Sequence, residues 1–403
     1  MNTKFTNMHF HTHYSFNAEG YSPAEIASLA KKANLAAAGI VDFDVLDGID
    51  EFFENANKEN LKACGGIETR VYVPEFAEFV INSPGEPGIA YHMGTGIPTG
   101  QTTSQQKKFL EKLGSIAKNR NLEVIKRVNE YLNPVCIDFE KDVQPLTPKG
   151  NVTERHICVA YADKSQKVFS DKENLIAFWK EKIGFENLSD RVAFLNAIRA
   201  KTMKRGGAGY VQPDSKSFPT MQEMNEFVIS IGGIPTLAWL DGTTEGEKRI
   251  EELMQIAISA GVEAVNIIPD RNYTPGLGAK DTKKENLYKF VEICKGLELP
   301  IIAGTEMNSP GQKFVDNFES DELKQLTDIF YNGALIIYGH TVLQRQCGLG
   351  YKSDWAKNNF ENRSDKNKFF AEVGQNIEPS TENILKEFNA KSLPERIIQK
   401  IRK

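Results

Sequence analysis

The stretch NMHFHTHYSFN, residues 7–17, contains His9, His11 and His13, which are half of the six histidines in the chain. The letters KFTNMHFH have the pattern of a β-strand, in which side chains point alternately to opposite faces. His9 and His11 are therefore expected on one face, where two imidazoles can share a metal ion. A lone H-x-H pair is more often exposed or hydrogen-bonded, so the metal hypothesis needs further ligands elsewhere.

Strand and helix patterns alternate outward from this stretch. Ser22 to Glu25 form a capping box, with Pro23 at the first helical position, and a helix with one apolar face follows. Further strands are predicted at residues 36–41, 66–73, 232–239, 262–268 and 299–306, and further helices at 49–57, 245–260 and 283–295. This alternation predicts an α/β fold with a parallel sheet, closed or open.

The middle of the chain has a different pattern. Residues 101–224 are mostly helical and rich in Lys, Glu and Asn, and we interpret them as a helical insertion into an α/β domain of residues 1–100 and 225–318. Residues 319–403 are predicted to form a C-terminal extension, mainly helical. It contains the apolar, strand-like run GALIIYG, residues 333–339, followed by His340, which is more typical of a packed or capping histidine than of a ligand.

Residues of ligand type fall at the ends of other predicted strands. Asp42 ends the second strand, Glu68 lies in the third, and Glu306 ends LPIIAGTE, while His92 lies in the glycine-rich AYHMGTG. Each alone is weak evidence, because a carboxylate at a strand end is commonly a helix cap or a turn residue. Together with the histidine pair they form a set of nitrogen and oxygen ligands suited to zinc, manganese or iron.

The order of these motifs resembles the PHP (polymerase and histidinol phosphatase) domain family. The family's motifs H-x-H-[ST]-x-x-S, T-D-H-D, G-x-E, H-x-x-G, A-H-P and G-S-D-x-H correspond here to HFHTHYS (9–15), GIVDFDVLDG (39–48), GIE (66–68), HMG (92–94), LAW (237–239) and GTEMN (304–308). The resemblance covers about residues 7–94 and 225–315. It implies a distorted (β/α)7 TIM-like barrel.

The resemblance also implies a ligand set, and this sequence departs from it. The family's first ion corresponds to His9, His11, Glu68 and Glu306, where the last is a longer carboxylate than the family's Asp. The second ion corresponds to Glu68 and His92, with Trp239 in place of a histidine. The third lacks its ligands, since Phe43 and Asn308 replace histidines. A degenerate site with one or two divalent ions (Zn, Mn or Fe), rather than three, is the expectation.

Two functional interpretations follow from this reduced site. One is a metal-dependent hydrolase, most simply a phosphoesterase acting on a small phosphorylated metabolite or nucleotide. The other is an inactive pseudoenzyme that binds a ligand in an aromatic-lined pocket. A hydrolase of sugars or peptides would use the same chemistry without phosphate.

Roles for individual residues are expected as follows. His92 is a metal ligand or an acid–base group, and Asp42 orients a ligand histidine through its ring N–H. Arg70, Arg271 and Lys313 are candidate phosphate contacts, with Trp239 as part of an aromatic wall. Arg155 and His156 of the insertion could close over the pocket. Each Arg or Lys is individually more typical of solvated surface.

Composition limits the partners. The net charge is −5, with both signs interspersed, which argues against binding to a DNA duplex or to an anionic membrane. The five cysteines form no C-x-x-C pair, and the first residues show no apolar signal segment, so a cytoplasmic location is expected. A small-molecule substrate is the expected partner. The sequence does not indicate an oligomeric state.

Overall fold

The computed structural model describes residues 3–147, 150–213, 216–273 and 280–402. Within these residues, eight strands form one sheet in the order β1-β2-β4-β5-β6-β7-β8, with the two-residue β3 paired to β4. The strands are β1 Thr6–Phe10, β2 Ala37–Ile40, β3 Asp42–Phe43, β4 Lys62–Tyr72, β5 Ile89–Ile97, β6 Ile234–Trp239, β7 Ala264–Ile267 and β8 Ile301–Ala303.

The sheet curves into a nearly closed barrel. After β8, the N–H of Glu306 donates to the His9 carbonyl and the N–H of His11 donates to the Glu306 carbonyl, each at 2.8 Å, so the last strand returns beside the first. Neighbouring strands are parallel except for β5, which runs antiparallel to both β4 and β6. The predicted distorted (β/α)7 barrel is thereby confirmed, although the alternating pattern did not predict the antiparallel strand β5.

Helices surround the barrel and form the segments between and after its strands. They are α1 Pro23–Lys32, α2 Ile49–Lys58, α3 Ser104–Leu132, α4 Glu154–Val168, α5 Lys172–Ile183, α6 Arg191–Ile198, α7 Met221–Ser230, α8 Glu245–Lys248, α9 Ile250–Ser259, α10 Asp270–Tyr273, α11 Lys280–Gly296, α12 Thr327–Cys347, α13 Asp354–Asn359, α14 Arg363–Asn376 and α15 Pro394–Ile401. Helix α1 begins with the predicted capping box of Ser22 and Glu25.

The helices between β5 and β6 have a hydrophobic core of their own. It is built around Trp179, Tyr161 and Phe194, all fully buried, with apolar residues of α3 to α6 around them. The Trp179 indole N–H donates to Ser165 at 3.1 Å, which satisfies its buried polar atom. The structure thus contains a helical insertion, while the boundaries at residues 100, 224 and 318 stay a prediction.

The apolar run GALIIYG lies inside helix α12 and is not a strand. A short apolar run does not distinguish a buried strand from a buried helix, because neither has a polar face to set the period. Gly333 and Gly339 allow close approach, since a Cβ atom on either would lie 2.0 Å from a backbone oxygen of β8 or α14. The Nδ1 of His340 accepts the Tyr351 N–H at 2.8 Å, so this histidine is a packing residue.

Helix α12 covers the amino ends of the barrel strands. Its apolar side chains share a cluster with Met8, Ala37, Cys64 and Ala264, which lie at or near the starts of four strands. The carboxyl ends of the strands remain free of this extension and face the inserted helices. None of the described helices is both long and apolar enough to cross a membrane.

Candidate metal centre and the adjoining cavity

Three ligand-type side chains meet inside the carboxyl end of the barrel. His9 near the end of β1, His11 just after it and Glu68 in β4 place two ring nitrogens and a carboxylate oxygen within 4.8 Å of one another. Glu68 Oε2 lies 2.9 Å from His11 Nε2 and 3.4 Å from His9 Nε2, and all three residues are buried. We call these residues the three-ligand cluster.

The cluster has the chemistry of a metal site rather than of a hydrogen-bonded pair. His11 Nε2 is buried without a properly directed hydrogen bond, although the Glu68 oxygen is 2.9 Å away. Burial raises the pKa of Glu68, but the two imidazoles outweigh it and lower that pKa to about 2. Burial lowers the pKa of His11, but the carboxylate outweighs it and raises the value. Two imidazoles and an ionised carboxylate converging on one point fit a divalent cation.

A hydrogen-bond chain fixes the orientation of His11. Ser15 Oγ donates to Asp42 Oδ1 at 2.7 Å and lies 3.1 Å from His11 Nδ1. Because the serine proton goes to Asp42, the serine oxygen accepts Nδ1–H, which leaves Nε2 of His11 free for a metal. Asp42 also accepts from the N–H and hydroxyl of Thr12, each at 2.7 Å.

Asp42 is placed to orient His11, as expected, but only indirectly. It acts on His11 through Ser15 and not by direct contact, and it is absent from the described lining of the cavity beside the cluster. Three hydrogen bonds to neighbouring groups occupy its carboxylate. Asp42 is a positioning residue.

Asn266 on β7 supports His9, and the sequence analysis did not identify it. Its side-chain nitrogen lies 2.9 Å from His9 Nδ1, while its oxygen has no hydrogen-bond partner among the described residues. Rotating the amide by 180° exchanges these atoms, so that the oxygen accepts Nδ1–H and Nε2 of His9 can bind a metal. Only the alternation within AVNI, which turns Asn266 inward, could have indicated this residue.

His92 lies outside the cluster, on the face of β5 that points away from it. In the β4–β5 register, Glu68 is opposite Met93 and Thr69 is opposite His92, so His92 points away from Glu68. Its Nε2 lies 2.6 Å from Asn225 Oδ1 on α7, outside the barrel. Burial lowers the pKa of His92 to about 4, so the ring is neutral and joins α7 to β5.

Trp239 is also turned outward, which corrects its expected place in the pocket wall. Its ring stacks on Phe290 of α11, with centroids 4.5 Å apart. Met93 on β5 and Ala238 on β6 are among the side chains that face inward, and they pack together with Val41. Neither side chain is suited to binding a hard divalent metal.

Glu306 lies at the mouth of the barrel but outside the three-ligand cluster. Its Oε2 accepts from Arg271 at 3.0 Å and from Gln312 at 2.9 Å, so both contacts fall on one of the two carboxylate oxygens. Lys313, expected to contact phosphate, lies 3.2 Å from Asp270 and is absent from the described lining of the cavity.

A cavity of about 520 Å³ lies between the carboxyl end of the barrel and the inserted helices. Six cationic residues line it: Arg70, Arg120, Arg155, Arg199, Lys204 and Arg271. Arg70, Arg271 and Arg155 therefore lie in the cavity wall, and their expected contact with phosphate stays a prediction. His156, expected beside Arg155, is buried and caps helix α4 through its ring nitrogen.

Buried carboxylates pair with most of these cations. Glu86 holds Arg70 at 2.9 Å and Arg120 at 2.7 Å. In the same way, Glu154 holds Arg199 at 2.9 Å and Lys204 at 2.7 Å. Each carboxylate therefore serves two cations. Asp44, Asp270 and Glu306 also line the cavity, so its lining holds six cationic side chains and, with Glu154, four carboxylates. No sequence pattern indicates Arg120, Arg199 and Lys204, because they lie in the insertion and carry no recognisable motif.

Arg155 has no carboxylate partner among the described residues. It donates to Ser309 at 2.7 Å and to Asn196, both neutral. Burial, followed by the charge of Arg199, lowers the pKa of Arg155 to about 10, so the guanidinium is still charged at neutral pH.

Phe43 separates the cavity from the three-ligand cluster. Its ring stacks on His11 with centroids 4.5 Å apart, and it lines the cavity together with Phe16, Tyr91 and Phe218. The described lining does not include His9, His11 or Glu68. The cation-rich cavity and the cluster are therefore adjacent, with an aromatic ring between them.

The PHP domain family model matches residues 7–216, just over half of the chain. The chain therefore belongs to the PHP domain family, as the six motifs indicated. The match runs through the inserted helices. No curated protein matches the chain.

Solved structures with this fold include two bacterial proteins. An amidohydrolase from Chromobacterium violaceum, solved with bound sulfate and no metal, is 18% identical with a TM-score of 0.52, covering 76% of this chain and 88% of that one. A protein from Bifidobacterium adolescentis, named as a metal-dependent phosphoesterase, is 16% identical with a TM-score of 0.53, covering 80% and 96%. At these identities the likeness concerns the fold alone.

Proposed function

We propose that the protein is a metal-dependent hydrolase, and specifically a phosphoesterase that acts on a small phosphorylated metabolite or nucleotide. The observation that carries this proposal is the three-ligand cluster beside a cavity lined by six cationic side chains. Family membership supports the hydrolase class, and the name of the Bifidobacterium neighbour agrees with phosphoester chemistry. The expected location is cytoplasmic.

His9, His11 and Glu68 would hold one divalent ion of zinc, manganese or iron, and a second ion would need ligands beyond these three. When bound, such an ion supplies a Lewis acid that acidifies water and polarises a phosphoryl oxygen. Asn266 and the Ser15–Asp42 chain keep the two imidazoles oriented for this role. If only one of the two imidazoles were held by such a hydrogen bond, metal would bind more weakly, because hydrogen bonds that orient the ligands contribute to metal affinity.

The cavity residues are suited to holding a phosphate group. Guanidinium groups bind phosphate oxygens with two parallel hydrogen bonds, and a buried position strengthens the attraction. Arg155 is the most available donor, since only neutral groups occupy it. Arg271 is the cavity cation tied to the mouth of the barrel, through Glu306, and is the expected neighbour of a phosphate near the cluster.

A second function is favoured by the position of Phe43. Its ring covers His11, and apolar Met93 and Ala238 complete that side of the barrel. A site closed in this way resembles a structural metal site, which keeps no open coordination position. On this alternative the protein is a pseudoenzyme that binds an anionic or aromatic ligand in the cavity.

Hydrolysis assays with matched variants separate the two functions. The metal-free protein would be reconstituted with Zn, Mn or Fe and tested against phosphomonoesters and nucleotides, beside Glu68→Gln and Glu54→Gln. Glu54 is an exposed surface residue paired with Lys58, so its variant controls for the amide substitution. We expect metal-dependent release of phosphate that Glu68→Gln abolishes and Glu54→Gln retains. Thermal stabilisation by nucleotides without any turnover would instead support the pseudoenzyme.

A further inference from the structure

Tyr91 occupies the inward face of β5, one step along the strand from the three-ligand cluster. In the β4–β5 register it lies opposite Arg70, and the next inward pair is Glu68 opposite Met93. Side chains of such pairs share a face, so Tyr91 and Glu68 point into the same side of the barrel. Tyr91 also lines the cavity. It therefore stands where the cation-rich wall meets the cluster.

The ring of Tyr91 is accounted for by packing, but its hydroxyl is not. The ring packs against Val41, Met93 and Ala238 and lies 6.3 Å from the ring of Phe43, centroid to centroid. The hydroxyl has no hydrogen-bond partner among the described residues. Phenylalanine would fill the same space equally well. A hydroxyl placed in a cavity without a partner is available to a ligand.

The charges around the hydroxyl favour an anionic ligand. Arg70, Arg199 and Arg271 each interact electrostatically with Tyr91, and so do the carboxylates of Glu68 and Glu154. Burial raises the pKa of Tyr91, against the opposing effect of Arg70 and Arg199. The phenol is therefore protonated at neutral pH and can act only as a donor to an anion.

We propose that Tyr91 is a substrate-contacting residue whose hydroxyl donates a hydrogen bond to a phosphoryl oxygen held between the cationic wall and the three-ligand cluster. This inference rests on the proposed phosphoesterase function and adds the residue that joins its two parts. Arg70 and Arg199 supply positive charge. The hydroxyl of Tyr91 supplies a directed hydrogen-bond donor on the face of the sheet that Glu68 shares.

The test compares Tyr91→Phe with the wild type and with Tyr331→Phe. Tyr331 lies on α12, its hydroxyl contacts Gln375 in an exposed hydrogen bond, and it is absent from the described lining of the cavity, so the control removes a phenol outside the cavity wall. Binding of inorganic phosphate would be measured by isothermal titration calorimetry. For the loss of a hydrogen bond to a charged acceptor, we expect Kd to rise about 10-fold or more in Tyr91→Phe. Tyr331→Phe should bind as the wild type does, and Tm should be unchanged in Tyr91→Phe.

Three outcomes separate this inference from the function on which it rests. Phosphate affinity equal to the wild type in Tyr91→Phe would overturn the role of Tyr91, even if metal-dependent hydrolysis is found. Weakened phosphate binding in Tyr91→Phe without hydrolysis by the wild type would support the contact and reject the phosphoesterase. No phosphate binding by the wild type would contradict both. Where turnover is measurable, kcat/KM should fall about 10- to 100-fold in Tyr91→Phe.

Discussion

Two sets of strands at the barrel mouth differ in chemistry although the same sheet builds both. The polar set, from β1, β4, β7 and the end of β8, presents His9, His11, Glu68, Asn266 and Glu306. The apolar set, from the end of β2, β3, β5 and β6, presents Val41, Phe43, Met93 and Ala238. In the polar set, hydrogen bonds hold the imidazoles of His9 and His11 in orientation. We infer that metal binding at this mouth depends on these supporting hydrogen bonds as well as on the ligands themselves.

His9 and His92 illustrate the difference at the level of one side chain. Both are buried histidines on barrel strands, and each has an asparagine within hydrogen-bond distance. The ring of His9 faces Glu68, whereas the ring of His92 faces helix α7. Strand alternation, rather than residue type, decides which of the two can be a ligand.

Among the changes to the polar set, the largest effect on metal affinity is expected from removing the hydrogen-bond partner of His9. Asn266→Ala should weaken metal affinity about 10- to 100-fold, because His9 loses the group that fixes its tautomer and orientation. The control is Asn266→Asp, whose carboxylate can accept Nδ1–H and should keep most of the affinity. Metal titration into the metal-free protein measures both. Equal affinity for Asn266→Ala and the wild type would show that His9 needs no such support.

One substitution can give the apolar set of strands a metal-ligating side chain. Met93→His would place an imidazole opposite Glu68 across the β4–β5 pair, adding a fourth ligand to the cluster. We expect metal affinity to rise about 10-fold, the free-energy equivalent of about 1.4 kcal/mol. Met93→Leu keeps the apolar character and should leave affinity unchanged. No gain with Met93→His would indicate that Met93 does not face the metal.

A smaller effect is expected on the stability of the metal-free protein as a function of pH. Burial raises the pKa of Glu68, but the imidazoles outweigh it and lower that pKa from 4.5 to about 2. The contribution of Glu68 to folding stability is therefore present above pH 4.5 and is lost as the pH falls towards 2.

Burial lowers the pKa of His11, but Glu68 outweighs it and raises that pKa above 6.5. The contribution of His11 to folding stability is therefore fully present below pH 6.5 and is lost as the pH rises through the raised pKa. The cluster should stabilise the metal-free fold most between pH 4.5 and 6.5.

Urea unfolding with chelator present, at about pH 5.5 and about pH 8.5, measures this dependence. His11→Gln should reduce the difference between the two pH values, because its side chain does not titrate. Added metal should remove the loss on the alkaline side, since it replaces the proton shared by His11 and Glu68. An identical pH dependence in the wild type and in His11→Gln would contradict the assignment.

The sequence predicted the barrel well because its motifs fall at strand ends in a fixed order. It also predicted His9 and His11 as a pair, since side chains two apart on a strand share a face. It failed for His92 and Trp239, where the motif likeness was one residue out of step with the faces of β5 and β6. A shift of one residue turns every side chain of a strand to the opposite face.

Other parts of the site depend on contacts that sequence patterns do not contain. Arg199 and Lys204 reach the cavity from the insertion, and no spacing relates them to Arg70 on β4. Asn266 lies 257 positions from His9 in the chain, and only the barrel brings them together. Residues 333–339 are helical although their pattern is strand-like, because a fully buried apolar run shows no period.

Metal content per chain tests the central claim most directly. Protein purified without chelator would be analysed for zinc, manganese and iron beside His9→Ala, Glu68→Gln and the control His92→Gln. If the three-ligand cluster is the metal site, we expect about one metal ion per chain in the wild type and in His92→Gln, and close to none in the two cluster variants. No metal in the wild type, even after incubation with all three ions, would contradict it. Loss of metal in His92→Gln together with retention in Glu68→Gln would contradict it equally.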